Sequence, residues 1–158
     1  YCINSPGELA TLAQELDNVH HYLLIQRYRY GDRFTYEEHI ENEDVMDSSL
    51  PVMTLQPLVE NAVHHGLNGE GGNIEIKVFE QEDEIIFIVS DDGVGMSDEK
   101  IEDILAGRTV TGKSGFGLYS LIQRIRLTYG IENPVILQSE VGVGTEIIVT
   151  IKKIKMEK

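Results

Sequence analysis

The sequence predicts a two-layer α/β (α+β) sandwich: one mixed β-sheet of about five strands with helices on one of its faces. Three observations carry this. Leu12, Leu16, Val19 and Leu23 recur at helical spacing near the start. Residues 73–80, 84–90, 135–139 and 145–154 alternate or run apolar as strands do. From residue 50 onward such helical and extended stretches alternate, which places helices against a sheet. The chain has 158 residues, which fits one domain with a core of its own.

The elements follow in order. Thr11 with Gln14 forms a capping box, and Gly31 sits where a helix stops, so Leu12–Tyr30 reads as an amphipathic helix. Residues 34–41 read as a short, polar edge strand, and 44–49 as a loop. Ser48 or Ser49 is expected to cap the next helix, with Pro51 in its first turn. Residues 52–65 are helical by pattern, but Pro57 lies inside. A restart with Pro57 in the first turn costs less than a kink. It places Leu58, Ala62 and His65 on one side, with Glu60 and Asn61 beside them.

Residues 73–80 form a strand with Ile74, Ile76 and Val78 on one face. Residues 81–83 turn the chain, and 84–90, more apolar, read as a central strand. Residues 91–96 are a Gly-containing loop, and Ser97 caps a short helix to about Leu105. Residues 106–114 have no apolar period and read as a mobile loop. Gly115-Phe116-Gly117 leads into a helix ending at Tyr129, closed by Gly130. Residues 140–144 join the last two strands as a hairpin.

Composition narrows the function. The net charge is −14, so non-specific contact with nucleic acid or an anionic membrane surface is disfavoured. The single Cys2 excludes an internal disulfide and a multi-cysteine zinc site, and fits a reducing compartment. No apolar run reaches about 18 residues, and no secretory leader is legible. The chain starts at Tyr1 without Met, which reads as a fragment of a larger protein.

Three segments carry chemistry. In Gln56-Pro57-Leu58-Val59-Glu60-Asn61-Ala62-Val63-His64-His65-Gly66 a polar cluster interrupts an apolar helix. Asn61 offers a neutral oxygen to a hard cation such as Mg²⁺, or it is a solvated helix residue. His64 and His65 point about 100° apart on a helix, so they do not share a zinc ion. The second segment is Asp91-Asp92-Gly93-Val94-Gly95, directly after the most apolar strand. A carboxylate there can accept a hydrogen bond from an exocyclic amine such as adenine N6, and Gly93 and Gly95 let the backbone approach a flat ring. A plain Asp/Gly turn is the simpler reading. The third is Lys113-Ser114-Gly115-Phe116-Gly117-Leu118. Its Gly-rich turn feeds a helix N-terminus, where free N–H groups suit phosphate. Backbone amides and Mg²⁺ would let an acidic protein hold a triphosphate. The order fits neither a P-loop nor a dinucleotide-binding βαβ unit.

Singly these signals are weak, but their order is specific. With Gly142-x-Gly144-Thr145 after them, they resemble the GHKL (Bergerat, HATPase) ATP-binding fold of gyrase-type ATPases, Hsp90, MutL and histidine kinases. Gln56–Ala62 followed by His65-Gly66, with Glu15-Leu16 and 29–34, resembles the LytS/YesM type of sensor histidine kinase. The resemblance covers nearly the whole chain. It implies the cofactors ATP and Mg²⁺. Asn61 would chelate Mg²⁺ on the ATP phosphates, with His65 near the phosphates or metal and His64 at a position where many members carry a phosphate-contacting Lys. Asp91 would bind the adenine amine, Gly93 and Gly95 would shape the adenine pocket, and Thr145 would support it. Gly115, Gly117 and Leu118 would belong to the phosphate lid. Lys113 stands where the lid usually has another Gly and is a further candidate for the phosphates. Glu60 is a candidate base by proximity, or a solvated helix residue. Pro57 replaces the water-activating Glu of the hydrolytic relatives, which argues for transfer to a protein over hydrolysis.

The resemblance thus implies a protein-histidine kinase catalytic domain that passes the γ-phosphoryl group to a histidine outside the chain. No Asn-Pro-His-Phe-type acceptor motif is present, and His20, His21 and His39 read as structural. Residues 1–33 would be a leading helix, the end of the dimerisation and phosphoacceptor region, and 34–158 the ATP-binding domain. Expected partners are ATP, the phosphoacceptor histidine domain of the same or a partner subunit, and a response regulator, in a homodimeric, membrane-anchored bacterial sensor with this part cytoplasmic. No nucleic acid or membrane contact by this chain is expected. The alternatives are a nucleotide-binding GHKL module without kinase activity, a GHKL ATPase, and a Ser/Thr kinase of the anti-sigma-factor type.

Overall fold

The computed structural model of the chain describes residues 8–67, 72–108 and 116–153. Its first helix, α1 (Leu12–Tyr30), starts at the expected capping box. The Thr11 hydroxyl accepts from Gln14 N–H at 3.2 Å and Gln14 Oε1 accepts from Thr11 N–H at 2.9 Å. It ends at Gly31, in the left-handed region with φ 64°, whose N–H closes on Arg27 O. The buried stripe of α1 is Leu12, Glu15, Leu16, Val19 and Leu23. The apolar members of this stripe share one core with the sheet.

The main sheet has five strands in the order β2-β4-β5-β7-β6. They are β2 (Phe34–Ile40), β4 (Gly72–Gln81), β5 (Glu84–Asp91), β6 (Val135–Glu140) and β7 (Gly144–Lys152). Only β2 and β4 run parallel; the other pairings are antiparallel, and β6–β7 is the expected hairpin. Polar β2 lies at an edge and apolar β5 in the centre, as their compositions predict. Strand alternation sends Ile74, Ile76, Val78, Ile85, Phe87, Val89, Ile147, Val149 and Ile151 to one buried face. On that face lie α1, α2 (Leu55–Asn61) and α4 (Phe116–Tyr129), with α3 (Asp98–Leu105) packed on α4. Full burial of each such Ile, Leu or Phe contributes roughly 1.5–3 kcal/mol.

Between residues 43 and 54 the structure departs from the expected loop and cap. Residues Glu43–Asp47 form a 3₁₀ turn, and β3 (Ser49–Pro51) pairs antiparallel with β1 (Leu9–Thr11). Pro51 is thus in a strand, and the helix begins later, at Leu55, with Pro57 in its first turn. Neither Ser48 nor Ser49 caps it. Thr54 precedes the helix, but its hydroxyl donates to Pro51 O at 2.5 Å, and a buried side chain from α1 supplies the missing acceptors.

Candidate nucleotide site

Asp91 closes β5, where its backbone pairs with Ile74 on one side and Thr145 on the other. Its Oδ1 accepts from Gly93 N–H at 2.9 Å, and the Thr145 backbone N–H lies near enough to favour the ionised carboxylate. Burial raises its pKa to about 6; the Asp92 charge pushes the same way, while the two N–H donors oppose. Asp92 turns aside, its Oδ1 accepting Asn73 N–H at 2.7 Å.

The loop after Asp91 is locked onto the β6–β7 hairpin. Gly142 N–H donates to Val94 O at 2.8 Å. Ser139 Oγ accepts from Met96 N–H at 2.7 Å, donates to Gly144 O at 2.9 Å and lies 2.7 Å from Thr145 Oγ1. A hydroxyl has one hydrogen, so with Ser139 donating to Gly144 O, Thr145 is the donor to Ser139 and keeps its own acceptor capacity. Gly95 has φ +72°, and a Cβ there would lie 2.0 Å from Glu140 O; at Gly144 (φ +145°) it would lie 2.1 Å from Asp91 O. The close neighbour of Gly95 is therefore the hairpin backbone, a reason that the sequence spacing does not disclose.

A cleft of about 440 Å³ opens at these strand ends, lined by Asp91, Asp92, Ser139, Glu140, Thr145 and Glu146 among others. Ser90, Glu146 and Gln138 of its lining sit in cross-strand register on the sheet face opposite Asp91 and Thr145, so this cleft is not the space between Asp91 and Asn61.

The second part of the site follows α2. Asn61 is 7% exposed and ends the helix, which widens into a π-turn over Ala62–Leu67. Such widened turns often mark functional positions. This turn packs against β4, β5 and β7, the strands that carry Asp91 and Thr145 at their ends. His64 is exposed, and its Nε2 lies 3.4 Å from the Tyr22 hydroxyl of α1. Glu60 accepts from Gln56 Nε2 at 3.1 Å.

A feature not read as functional from the sequence fixes where α2 begins. Glu15 of α1 is 2% exposed, and its carboxylate accepts from Met53 N–H (3.0 Å), Thr54 N–H (2.7 Å) and Leu55 N–H (3.1 Å). Arg124 of α4 grips the same turn from its carbonyl side, donating to Val52 O and to Met53 O. One turn, with Met53 at φ 64°, is thus held by α1 and α4 at once. The available signal was a carboxylate in register with the stripe Leu12, Leu16 and Val19.

Of the expected residues, Asp91, Gly93, Gly95 and Thr145 come together with Ser139 and Gly144. Leu118 is buried in the core, and Gly117 has open space at its Cβ position. Lys113 and Gly115 lie outside the described residues, as does the side chain of His65. His20 pairs with Glu38, and His39 with Glu75 (3.1 Å) and Glu37 (3.5 Å), which fits their structural reading. Among the described residues, Glu37, His39 and Glu75 are also the only trio of His, Cys, Asp or Glu placed to meet on one ion. Among the described residues, no such trio surrounds Asn61. A lone buried amide suits Mg²⁺, which dehydrates reluctantly and is commonly bound through substrate phosphates and a few protein oxygens.

Residues 46–155 match the family described as histidine kinase-, DNA gyrase B-, and HSP90-like ATPase. Sensor protein LytS of Bacillus anthracis is 35% identical over 92% of this chain and 25% of its own length. Sensor histidine kinase YesM of Bacillus subtilis is 32% identical over 94% of this chain and 25% of its own. The chain thus spans about a quarter of the length of these curated relatives. Among solved structures, the catalytic domain of histidine kinase ThkA superposes with a TM-score of 0.71 at 19% identity, covering 92% of this chain and 95% of that one. The mycobacterial sensor histidine kinase MprB gives 0.64 at 15% identity, covering 94% and 99%. Those structures speak for the fold, while the sequence matches run to sensor histidine kinases. The chain belongs to the histidine kinase-, DNA gyrase B- and HSP90-like ATPase family, and within it is similar in sequence to the LytS and YesM sensor proteins.

Proposed function

We propose that this domain binds Mg²⁺–ATP and transfers the γ-phosphoryl group to a histidine outside the chain. The observation that carries the reading is the half-buried Asp91 carboxyl at the end of β5, framed by Gly93, Gly144 and Thr145. Its ionised form accepts the adenine N6 amine, and Gly93 and Gly95 shape the loop beside the ring. Asn61 holds Mg²⁺ through its amide oxygen, and His64, His65 and Lys113 serve the phosphates, with Gly115 and Gly117 in the lid and Leu118 anchoring its end in the core. Bound Mg²⁺ neutralises charge on the β- and γ-phosphates.

In the transfer, an imidazole nitrogen of the acceptor attacks the γ-phosphorus. The bond to the β–γ bridging oxygen breaks, ADP leaves with that oxygen's electron pair, and the imidazole gives up one proton. Glu60, beside Asn61, is a candidate to take it. The reaction asks little covalent work of the protein, so positioning and charge neutralisation supply most of the rate. Pro57 has no basic group, which favours this over steady hydrolysis of ATP.

On the same reading, residues 1–33 connect the nucleotide domain 34–158 to an upstream dimerisation and phosphoacceptor region. The whole protein is then a homodimeric, membrane-anchored sensor with this domain in the cytoplasm, and it passes its phosphoryl group on to a response regulator. The test is incubation of the full-length protein with γ-labelled ATP. An acid-labile, base-stable protein phosphate, lost in Asp91→Asn, is expected. Steady release of inorganic phosphate without protein labelling points to an ATPase; nucleotide binding with neither points to a binding module.

A further inference from the structure

Among the described residues, helix α1 and the π-turn after Asn61 meet at a polar contact, Tyr22 OH to His64 Nε2 at 3.4 Å. Tyr22 is half-buried and packed against the core, so its ring is anchored and only the hydroxyl reaches the turn. Its pKa is raised, first by burial, then by the charges of Glu60 and Tyr30 against the opposing Arg29. The phenol is therefore neutral and keeps its one O–H to donate. His64 is exposed and lies on the π-turn Ala62–Leu67.

We propose that Tyr22 is a positioning residue for the phosphates of a bound nucleoside triphosphate, acting through His64. When the phenol donates to Nε2, the neutral imidazole carries its proton on Nδ1. When the imidazole is protonated, Nε2–H donates to the phenol oxygen and Nδ1 again carries a proton. In both of these arrangements the ring carries an N–H donor on its far edge, the group that a phosphate oxygen requires; the remaining one, a neutral ring donating from Nε2 to the phenol oxygen, is the tautomer that the inference excludes. His64 lies three residues beyond Asn61, at the same end of α2. Glu15, seven residues before Tyr22, fixes the other end of α2. The seat of α1 therefore sets both where α2 starts and which edge of His64 faces the ligand. This inference rests on the Mg²⁺–ATP reading and adds to it a residue on α1 that makes no contact with nucleotide.

The test is a double-mutant cycle of Tyr22→Phe and His64→Ala, titrated with ATP and with adenosine. An imidazole ¹⁵N spectrum of the nucleotide-free protein accompanies it. One lost hydrogen bond corresponds to a roughly three- to tenfold weaker ATP affinity for Tyr22→Phe. Adenosine affinity is expected unchanged, and Tyr22→Phe is expected to do nothing further once His64 is Ala. The spectrum is expected to report the Nδ1–H tautomer of His64 in the wild type and its loss in Tyr22→Phe. The inference is overturned if Tyr22→Phe leaves ATP affinity unchanged, weakens adenosine equally, or acts equally in the His64→Ala background. If the wild type binds neither ligand, the nucleotide reading itself fails. The spectrum still judges the contact then, because a tautomer insensitive to Tyr22→Phe contradicts it.

Discussion

Replacing Glu15 by Ala removes the acceptor for three backbone N–H groups at once. Hydrogen bonds to a charged group contribute about 1.5–3 kcal/mol each, but three donors sharing one carboxylate are not additive. Breaking a buried charged arrangement by deleting one side costs about 3–5 kcal/mol, and that is the expected loss. It would remove about a fifth or more of the stability of a domain worth about 5–15 kcal/mol. Glu15→Gln sharpens the test. Its single carbonyl oxygen can serve Thr54 and Leu55, which both bond Oε1, while its NH₂ faces the Met53 N–H, donor against donor. About half of the loss is expected. Urea unfolding gives both numbers from the shift in midpoint at unchanged slope. A loss below about 1 kcal/mol for Glu15→Ala, or equal losses for the two variants, would refute the claim that Glu15 holds the start of α2 through these donors.

Further expectations concern the adenine end. Asp91 has its pKa raised from 3.8 to about 6, so the folded protein binds this proton more tightly than the unfolded chain does. Stability from this group falls as pH rises from about 4 to about 6 and is level above that. Asp91→Asn therefore raises the urea midpoint at pH 7.5 relative to wild type more than at pH 4. Adenosine affinity of the wild type should fall about tenfold per pH unit below about pH 6, because only the ionised Asp91 accepts the amine. Gly144→Ala places a Cβ against Asp91 O in a backbone region that Ala rarely adopts, so it should lower the melting temperature and weaken adenosine binding together. Ser139→Ala leaves the Met96 N–H without its acceptor and should cost about 1–3 kcal/mol by denaturant titration.

Much of the fold was legible because local chemistry and burial agree. The Thr11/Gln14 box and the stripe Leu12, Leu16, Val19, Leu23 place α1 to the residue. The apolarity of 84–90 against the polarity of 34–40 orders the sheet's centre and edge. Three-residue β1 and β3 are too short for any period, so residues 49–51 read as part of a helix start. The π-turn after Asn61 is a change of backbone pitch with no side-chain pattern of its own. Asp91, Gly93, Gly95 and Thr145 were legible as a set only through their order along the chain. The structure adds what order cannot give: Ser139 tying the loop to the hairpin, and Glu15 and Arg124 gripping residues 52–55 from helices far apart in sequence. Such buried charges answer backbone groups on other elements, and spacing does not encode those partners.

The most direct test of the account is calorimetric titration of the chain with ATP, with and without Mg²⁺, for wild type, Asp91→Asn and Asn61→Ala. The account predicts that wild type binds, that Asp91→Asn abolishes binding, and that Asn61→Ala binds ATP without Mg²⁺ enhancement. Absence of ATP binding by the wild type at millimolar concentration, or full binding by Asp91→Asn, would contradict it.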